Sequence, residues 1–385
     1  MKAYFNVYAI AKNEEKNYEE FFEHLTDTDN IYIGDTGSDS TEDIEAFCVD
    51  QGIYWENLVD KVATDESYFD FSDHRNYLLG YAESQRDCIK SLDAEEEKNF
   101  FISLDLDERL EEGWREKLET KLAHNPEANA LQFDIHINDG NPYSFKAVRG
   151  SLSGTHEWEY PIHEILRPIG DMDNQNLLDT GIKIYHKPDD SKTRDYLPAC
   201  FALVDKHPNE PRSYHYLGRE LMFRNKFTEA LGVFSRYINL GENGNYLWPA
   251  ETAIIYNYIA FCNEHLSNVF GAEIAYYKAV CEKPKCREVW MDLSDFYFRQ
   301  DKFVEAYTFI KRALELPFTD EYMYHKPIAY NDVHTHHQAC FVAYQAGLIE
   351  NSKQHITRAI QLTNGKPNEA LVKDYVSLYG KAPNF

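Results

Sequence analysis

Residues 100–108 read FFISLDLDE, and this stretch decides the fold of the first half of the chain. The apolar run from residue 100 to residue 104 predicts a buried β-strand. The sequence Asp-Leu-Asp-Glu follows the strand directly, at residues 105–108. In an open α/β sheet, ligands bind beyond the carboxyl ends of the strands. Asp105 and Asp107 are therefore candidates to hold a hard divalent cation and to leave coordination positions for phosphate oxygens.

The segments around this strand alternate between strand and helix patterns. The predicted strands are residues 4–10, 31–33, 53–55 and 100–104, and the predicted helices are residues 15–25, 41–49 and 73–82. This β-α-β-α order predicts a mainly parallel sheet with helices on both faces, an open α/β sandwich. Residues 131–137 alternate strictly between apolar and polar side chains, which predicts a half-buried strand near the edge of the sheet.

From about Pro198 onward the sequence shows almost only helical periodicity. Ala272 and Ala306 lie 34 residues apart, which is the period of a tetratricopeptide repeat (TPR). The template fits three times and, with fewer matches, a fourth time, and an eight-residue insertion separates the first two repeats. The matching residues are Tyr214, Leu217, Gly218, Ala230 and Phe234; Tyr256, Ile259, Ala260, Ala272, Tyr276 and Ala279; Trp290, Leu293, Ser294, Tyr297, Ala306, Ile310 and Ala313; and Ala339, Cys340, Ile356 and Ala359. An irregular helical bundle is the alternative.

The composition excludes several classes of protein. The 385 residues include 39 Lys and Arg against 65 Asp and Glu, a net charge of −26, which disfavours a nucleic-acid partner. No apolar run approaches the ~20 residues of a membrane helix. The N-terminus lacks the apolar stretch and cleavage site of a signal peptide, and the seven cysteines are scattered. We therefore expect a cytoplasmic protein without membrane insertion.

Polar residues also follow two other predicted strands. Residues 11–14 (AKNE) come after the first strand, and residues 34–41 (GDTGSDST) come after the second. In a parallel sheet these ends meet on one rim, which suits a base, a ribose and a metal-bound diphosphate. In a chain with 65 acidic residues, most Asp-x-Asp triplets lie on the solvated surface. The prediction of a ligand site at Asp105 and Asp107 therefore depends on the polar segments that follow the other two strands. Ser40 is the expected cap of the second helix, whereas capping does not account for Asp35 at a strand end.

These segments together give residues 3 to about 190 a resemblance to the family 2 glycosyltransferases of the GT-A fold. The matching stretches are AKNE at 11–14, DTGSDST at 35–41, FSDHRN at 71–76, LDLDE at 104–108 and WEYPIHE at 158–164. A GT-A domain followed by an all-α TPR-like helical repeat domain resembles bacterial S-glycosyltransferases that act on peptides. The predicted domains are residues 1–190 (GT-A glycosyltransferase) and 191–385 (helical repeats).

The resemblance implies roles for individual residues around a nucleotide-sugar donor. Asp35 would face the nucleobase or ribose, and Arg75 would reach the diphosphate or the base edge. Asp107 would be the main Mg²⁺ or Mn²⁺ ligand, Asp105 its ribose- or water-contacting neighbour and a further candidate metal ligand, and His186 a last metal or phosphate ligand. The other implied nucleotide-sugar-binding residues are Ala11, Asn13, Glu14 and Asp39.

Glu164 is the candidate catalytic base. An inverting transferase needs a group near the acceptor nucleophile to take its proton. Glu164 follows His163 after an aromatic segment, on the side of the fold that the resemblance assigns to the acceptor. His163 and Asp134 are the competing bases, and a structural salt bridge of Glu164 beside Trp158 is the alternative to catalysis.

Three functions remain open at this point. The first is a metal-dependent glycosyltransferase of a bacterial or phage-infected cell, with a UDP-sugar as the favoured donor and a peptide or protein acceptor held partly by the repeats. The second is a phage-type transferase acting on modified (hydroxymethylated) DNA bases. The third is a non-catalytic TPR scaffold with a relic transferase domain. For a chain acceptor, the aromatic residues off the repeat template are expected on the concave surface; they are Tyr216, Phe223, Tyr258 and Phe296.

Overall fold

The computed structural model describes residues 2–62, 68–87, 97–137, 143–187, 195–317, 331–363 and 369–380. The chain divides into two compact units, Met1–Lys206 and His207–Phe385, which we call the α/β unit and the repeat unit. The predicted boundary between residues 190 and 191 lies outside the described residues. The observed division comes later in the chain, because the helix at residues 197–206 belongs to the first unit.

The α/β unit contains ten strands and five helices in its described residues. They are β1 (Lys2–Ala11), α1 (Glu15–Glu23), β2 (Asn30–Asp35), α2 (Thr41–Asp50), β3 (Tyr54–Asn57), α3 (Phe71–Asp87), β4 (Glu97–Ser103), β5 (Glu108–Leu110), α4 (Trp114–His124), β6 (Ala130–Ile137), β7 (Tyr143–Leu152), β8 (His156–Glu159), β9 (Ile165–Pro168), β10 (Leu177–His186) and α5 (Leu197–Lys206). The seven strands and helices predicted around residues 4–104 are all present. β5, α4 and the strands from β7 to β10 were not predicted.

Eight of these strands form one sheet in the order β3-β2-β1-β4-β7-β6-β10-β5, and β8 pairs with β9 in a separate hairpin. The first four strands of the order are mutually parallel. β7 is antiparallel to β4 and β6, and β5 is antiparallel to β10, so the sheet is mixed rather than mainly parallel. Residues 131–137 belong to β6, which is the third strand from the β5 end of the sheet and pairs on both sides, with β7 and β10. Their alternation therefore indicates one half-exposed face and not an unpaired edge.

The sheet packs helices on both faces because adjacent side chains of a strand point to opposite sides. In β4, Phe100 and Ile102 join a core with α1, α2 and α4, whereas Phe101 joins a second core with Tyr8 and Trp158 on the α3 side. The strand order reverses between β1 and β4. Ligands of open α/β sheets bind in the crevice at such a reversal, beyond the carboxyl ends of the strands.

The repeat unit consists of helix pairs and has a TPR-like helical repeat fold. Its described helices are α6 (Pro211–Phe223), α7 (Phe227–Glu242), α8 (Pro249–His265), α9 (Val269–Glu282), α10 (Arg287–Arg299), α11 (Phe303–Leu314), α12 (Asp332–Gln345), α13 (Ile349–Leu362) and α14 (Glu369–Tyr379). In each of the first four pairs, two small buried residues twelve positions apart lie where the helices cross; these are Gly218 and Ala230, Ala260 and Ala272, Ser294 and Ala306, and Cys340 and Ser352. The predicted repeat register is confirmed.

The tight turn inside each pair also repeats. Asn225, Ser267, Asp301 and Gly347 all have a positive φ, between 58° and 74°, at the same place between the paired helices. Only glycine adopts this left-handed conformation without strain, and Asn and Asp tolerate it better than most residues. The recurrence of this conformation shows that the four turns share one geometry.

The expectation for the off-template aromatic residues was wrong for two of the four. Tyr216 and Phe296 are buried, so they belong to the helix packing and not to a surface. Tyr258 is half-buried against His215, and only Phe223, 64% exposed, presents its ring to solvent. Over the described residues, every helix is too short or too polar to span a bilayer.

Candidate active site

The loops after β1 and β2 bind each other at the rim of the sheet. The side-chain oxygen of Asn13 accepts a hydrogen bond from the backbone N–H of Asp39 at 2.8 Å, and the backbone N–H of Asn13 donates to the Ser38 hydroxyl at 2.8 Å. Asn13 has a φ of 54°. Three of the predicted donor-binding residues (Asn13, Asp35 and Asp39) are thus brought together, as the shared rim predicts.

Asp35 holds the loop after β2 in place through hydrogen bonds. Its buried carboxylate accepts hydrogen bonds from the backbone N–H and hydroxyl of Ser38, at 3.0 and 2.7 Å, and from the Thr41 hydroxyl at 2.8 Å. Ser40 stands at the N-cap position of α2, as predicted, although its side chain makes no capping hydrogen bond. Asp35 accepts hydrogen bonds from the loop before the helix, so its role is to hold that loop.

A cavity of about 300 Å³ lies beside this rim. Of the residues predicted to bind the donor, Ala11 and Glu14 line it. The other walls of the cavity were not predicted as binding residues; they are Phe69, Phe71, Ile162, Tyr196 and Ala199. Tyr196 and Ala199 were not predicted because their segment follows β10 and was assigned to the second domain. The aromatic side chains, together with the charged lining residues Lys12, Glu14 and Asp195, suit a planar polar ring.

Asp107 and His186 form a pair at the end of the sheet. The Nε2 atom of His186 lies 3.2 Å from the Oδ2 atom of Asp107, and this hydrogen bond raises the pKa of His186. Adjacent ligand atoms on an octahedral Mg²⁺ are separated by about 3 Å, so these two atoms have a suitable separation for one cation. No group of three or more His, Cys, Asp or Glu side chains suited to a metal occurs among the described residues.

Asp105 takes a different partner from Asp107. Its Oδ1 atom accepts a hydrogen bond from Nη2 of Arg75 at 2.6 Å. Desolvation alone would raise the pKa of Asp105, but the guanidinium groups of Arg75 and Arg149 hold it well below its usual range. Burial raises the pKa of the neighbouring Glu108 to about 7, although Glu108 pairs with Arg149 at 2.5 Å.

Arg75 also reaches the candidate base. Its Nε atom donates to Oε1 of Glu164 at 2.8 Å, and its Nη1 atom donates to the Ser103 hydroxyl at 2.8 Å. The guanidinium is 3% exposed, whereas Glu164 is 14% exposed and Asp105 is 39% exposed. The two carboxylates thus present surface to a ligand while the cation between them is covered.

The first turns of α3 hold the segment that carries Glu164. The Asn76 side chain donates to the Trp158 carbonyl at 2.8 Å and accepts from the Trp158 backbone N–H at 2.7 Å. The backbone N–H of Phe71 donates to the Pro161 carbonyl at 2.9 Å. The motif at residues 71–76 therefore binds the motif at residues 158–164, a pairing that the separate motifs did not predict.

The held segment is conformationally strained. Tyr160 and His163 have positive φ values of 78° and 50°, which cost energy in residues with a side chain. His163 is half-buried, and its ring centroid lies 6.2 Å from that of Tyr196, which lines the cavity. The third candidate base, Asp134, lies in β6 and pairs with Lys146 of β7 at 3.7 Å.

No family model and no curated protein matches the chain. Solved structures of helical-repeat proteins are similar to part of it. MamA from Desulfovibrio magneticus RS-1 is 14% identical with a TM-score of 0.34, and covers 44% of this chain and 86% of its own. YrrB, described as a TPR protein with an unusual peptide-binding site, is 12% identical with a TM-score of 0.35, and covers 47% and 81%. The N-terminal domain of stress-induced protein-1 from C. elegans is 17% identical with a TM-score of 0.29, and covers 34% and 98%. At these values the matches carry no argument about function, and the TPR-like fold rests on the observed helix pairs.

Proposed function

We propose that this protein is a metal-dependent glycosyltransferase that moves a sugar from a nucleotide-sugar, with a UDP-sugar as the favoured donor, to a peptide or protein acceptor. The observation that carries the proposal is the arrangement at the strand reversal between β1 and β4. There an aromatic-walled cavity, an Asp–His pair and a partly exposed carboxylate pair occupy one strand-end rim of the α/β unit. The cavity supplies a place for a nucleobase, the Asp–His pair a place for a metal-bound diphosphate, and the carboxylate pair a group to accept the proton of the acceptor.

The donor would lie with its nucleobase in the cavity. Phe71 and Tyr196 offer flat apolar surface, and the charged lining residues Lys12 and Glu14 offer polar contacts. The rim loops, held together by Asn13 and Asp39, would then present backbone groups to the ribose. In this arrangement Asp35 keeps the loop in shape and acts on the donor through it.

Asp107 and His186 would hold a Mn²⁺ or Mg²⁺ ion, and Asp105 would contact the ribose or a metal-bound water. The metal, when bound, screens the charge of the leaving diphosphate. Glu164 would take the proton of the acceptor nucleophile, with His163 as the second candidate for that role. The strained backbone at residues 160–163 supports a working site, because such strain concentrates at functional segments.

The repeat unit supports a peptide or protein acceptor, since helical repeats suit extended chains. A DNA acceptor is disfavoured by the net charge of −26, which would repel phosphates. The second candidate is a non-catalytic scaffold. It is favoured by the same repeat unit, which supplies a protein-interaction fold whether or not the α/β unit turns over a donor.

The test is a screen for donor hydrolysis and donor binding with UDP-, GDP- and dTDP-sugars in Mn²⁺. We expect one donor to be bound and slowly hydrolysed, and we expect EDTA or Asp107→Asn to reduce hydrolysis at least 100-fold, as loss of a metal's charge does. Asp50→Asn, at an exposed position in α2, is the matched control and should change nothing. Binding of no nucleotide-sugar by the folded protein would reject the transferase and leave the scaffold.

A further inference from the structure

We propose that Arg75 is a positioning residue that sets the placement of the base Glu164 relative to the donor-side Asp105, and that it is not a ligand of the diphosphate. This inference rests on the proposed glycosyltransferase. It changes the role that the family resemblance implies for Arg75, and it places Arg75 and Asn76 on the acceptor side of the reaction.

The guanidinium of Arg75 lies between the two carboxylates. Its three nitrogens each have a different partner: Glu164 at Nε, Ser103 at Nη1 and Asp105 at Nη2, all within 2.8 Å. A planar guanidinium fixes the directions of its N–H bonds. The positions of the Glu164 and Asp105 carboxylates are therefore set by one rigid group.

Arg75 is itself held in place. It lies 5.2 Å above the Trp158 ring, and the next residue, Asn76, binds the backbone of Trp158 on both sides. Desolvation alone would lower the pKa of Arg75, but the two carboxylates raise it, so the side chain stays charged. The Arg75 guanidinium is buried and each of its nitrogens has a partner, so a bound substrate would meet the Glu164 and Asp105 carboxylates before it met Arg75. Arg75 is therefore suited to position those carboxylates.

Glu164 lies 89 residues after Arg75 in the chain, and the segment before it is strained. Without the planar guanidinium, the carboxylates of Glu164 and Asp105 would lose the directed N–H bonds that orient them. The base would then move away from the acceptor while the donor pocket kept its walls. A shift of about 1 Å in a reacting group costs about 100-fold in rate.

The experiment compares Arg75→Lys with Arg115→Lys in the full-length protein. Lysine keeps the charge and loses the planar fork. Arg115 is the matched control because it also pairs with two carboxylates, Asp29 and Glu119, each at 3.0 Å, at a half-buried position on α4 away from the rim. The readouts are the dissociation constant, by calorimetry, of the nucleotide-sugar found in the screen above, and kcat for transfer of its sugar to water as the acceptor.

We expect Arg75→Lys to lower kcat about 100-fold, because the base moves, and to leave the donor dissociation constant within threefold, because the cavity walls and the Asp107–His186 pair do not depend on Arg75. Arg115→Lys should change neither quantity by more than twofold. Adding Arg75→Lys to Glu164→Gln should cost little more, since both changes disable the same base. If circular dichroism shows that Arg75→Lys is unfolded, Ser103→Ala removes one anchor of the guanidinium and should lower kcat several-fold with unchanged donor binding.

A donor dissociation constant weakened tenfold or more, with kcat unchanged, would make Arg75 a donor ligand and overturn the inference. Independent, multiplicative effects of Arg75→Lys and Glu164→Gln on kcat would overturn it as well. If the wild-type protein transfers no sugar, the proposed function fails separately. The shifts of the urea midpoint in the same two variants and their double variant then decide: additive shifts reject the coupling of Arg75 to Glu164, and non-additive shifts retain it.

Discussion

Two glycines in the first helix pair of the repeat unit predict opposite effects for one substitution. Gly218 lies in α6, where an added Cβ would stand 2.3 and 2.6 Å from two ring atoms of the buried Phe234. Gly232 lies in α7, and apart from its chain neighbours and the backbone of its own helix nothing lies within 4 Å of an added Cβ. Alanine is favoured over glycine inside a helix by about 1 kcal/mol at both positions. Only the packing differs.

At Gly218 the packing term outweighs the helix term. Carbon atoms in contact are normally about 3.5–4.0 Å apart, so the Phe234 ring would have to move by more than about 1 Å. Overpacking of this kind costs about 1–3 kcal/mol, and the short distance places Gly218→Ala near the upper end. We therefore expect Gly218→Ala to lower the free energy of unfolding by about 2 kcal/mol and Gly232→Ala to raise it by about 0.5–1 kcal/mol.

The assay is urea unfolding of the full-length variants, followed by circular dichroism at the helical wavelength. Phe234→Leu provides the control, because removing the ring should abolish most of the additional loss caused by Gly218→Ala. The reasoning is refuted if Gly218→Ala is as stable as Gly232→Ala, or if the loss persists unchanged in the Phe234→Leu background. Either result would mean that the ring does not lie over Gly218 and that the register of the first repeat is different.

Two further predictions concern the α/β unit. A chain that ends at Lys206 should bind the nucleotide-sugar, as measured by calorimetry. A chain that ends at residue 194 should not bind it, because Tyr196 and Ala199 form one wall of the cavity. Equal binding by both chains would show that α5 is not part of the site. Burial lowers the pKa of His156 to about 4 from an ordinary value of 6.5, so the unfolded chain takes up the proton first as the pH falls. The free energy of unfolding should therefore decline from pH 6.5 towards pH 4, and His156→Gln should flatten the decline between pH 6.5 and 5; an unchanged slope in that variant would assign the decline to other groups.

Much of the fold could be predicted from local patterns in the sequence. The alternation in β4 separates Phe100 and Ile102 from Phe101, and the strand places those residues in two different cores. The spacing of small residues in the repeat unit predicts where paired helices cross, because close approach of two helices leaves no room for larger side chains. Such patterns succeed because strand and helix periodicity repeat within a few residues.

The predictions failed where a residue's environment depends on distant parts of the chain. The pattern of residues 131–137 reports one exposed face and carries no information about neighbours, so it did not reveal that β6 pairs on both sides. Tyr216 lies off the repeat template but is buried. Nothing in the local sequence distinguishes a buried aromatic residue of this kind from an exposed one.

The sequence by itself determined the division into an α/β half and a helical-repeat half, the repeat register and the segments that meet at the rim of the sheet. Local periodicity and the geometry of parallel strands suffice for these features. Only the tertiary structure decided which polar groups pair. In the folded protein the Asp35 carboxylate bonds to its own loop, Asp107 pairs with His186, and the Arg75 guanidinium lies between Asp105 and Glu164. The pairs Asp107–His186 and Arg75–Glu164 join residues 79 and 89 positions apart. Hydrogen bonds from α3 to residues 158 and 161 hold the segment that carries Glu164, and no local pattern reports them.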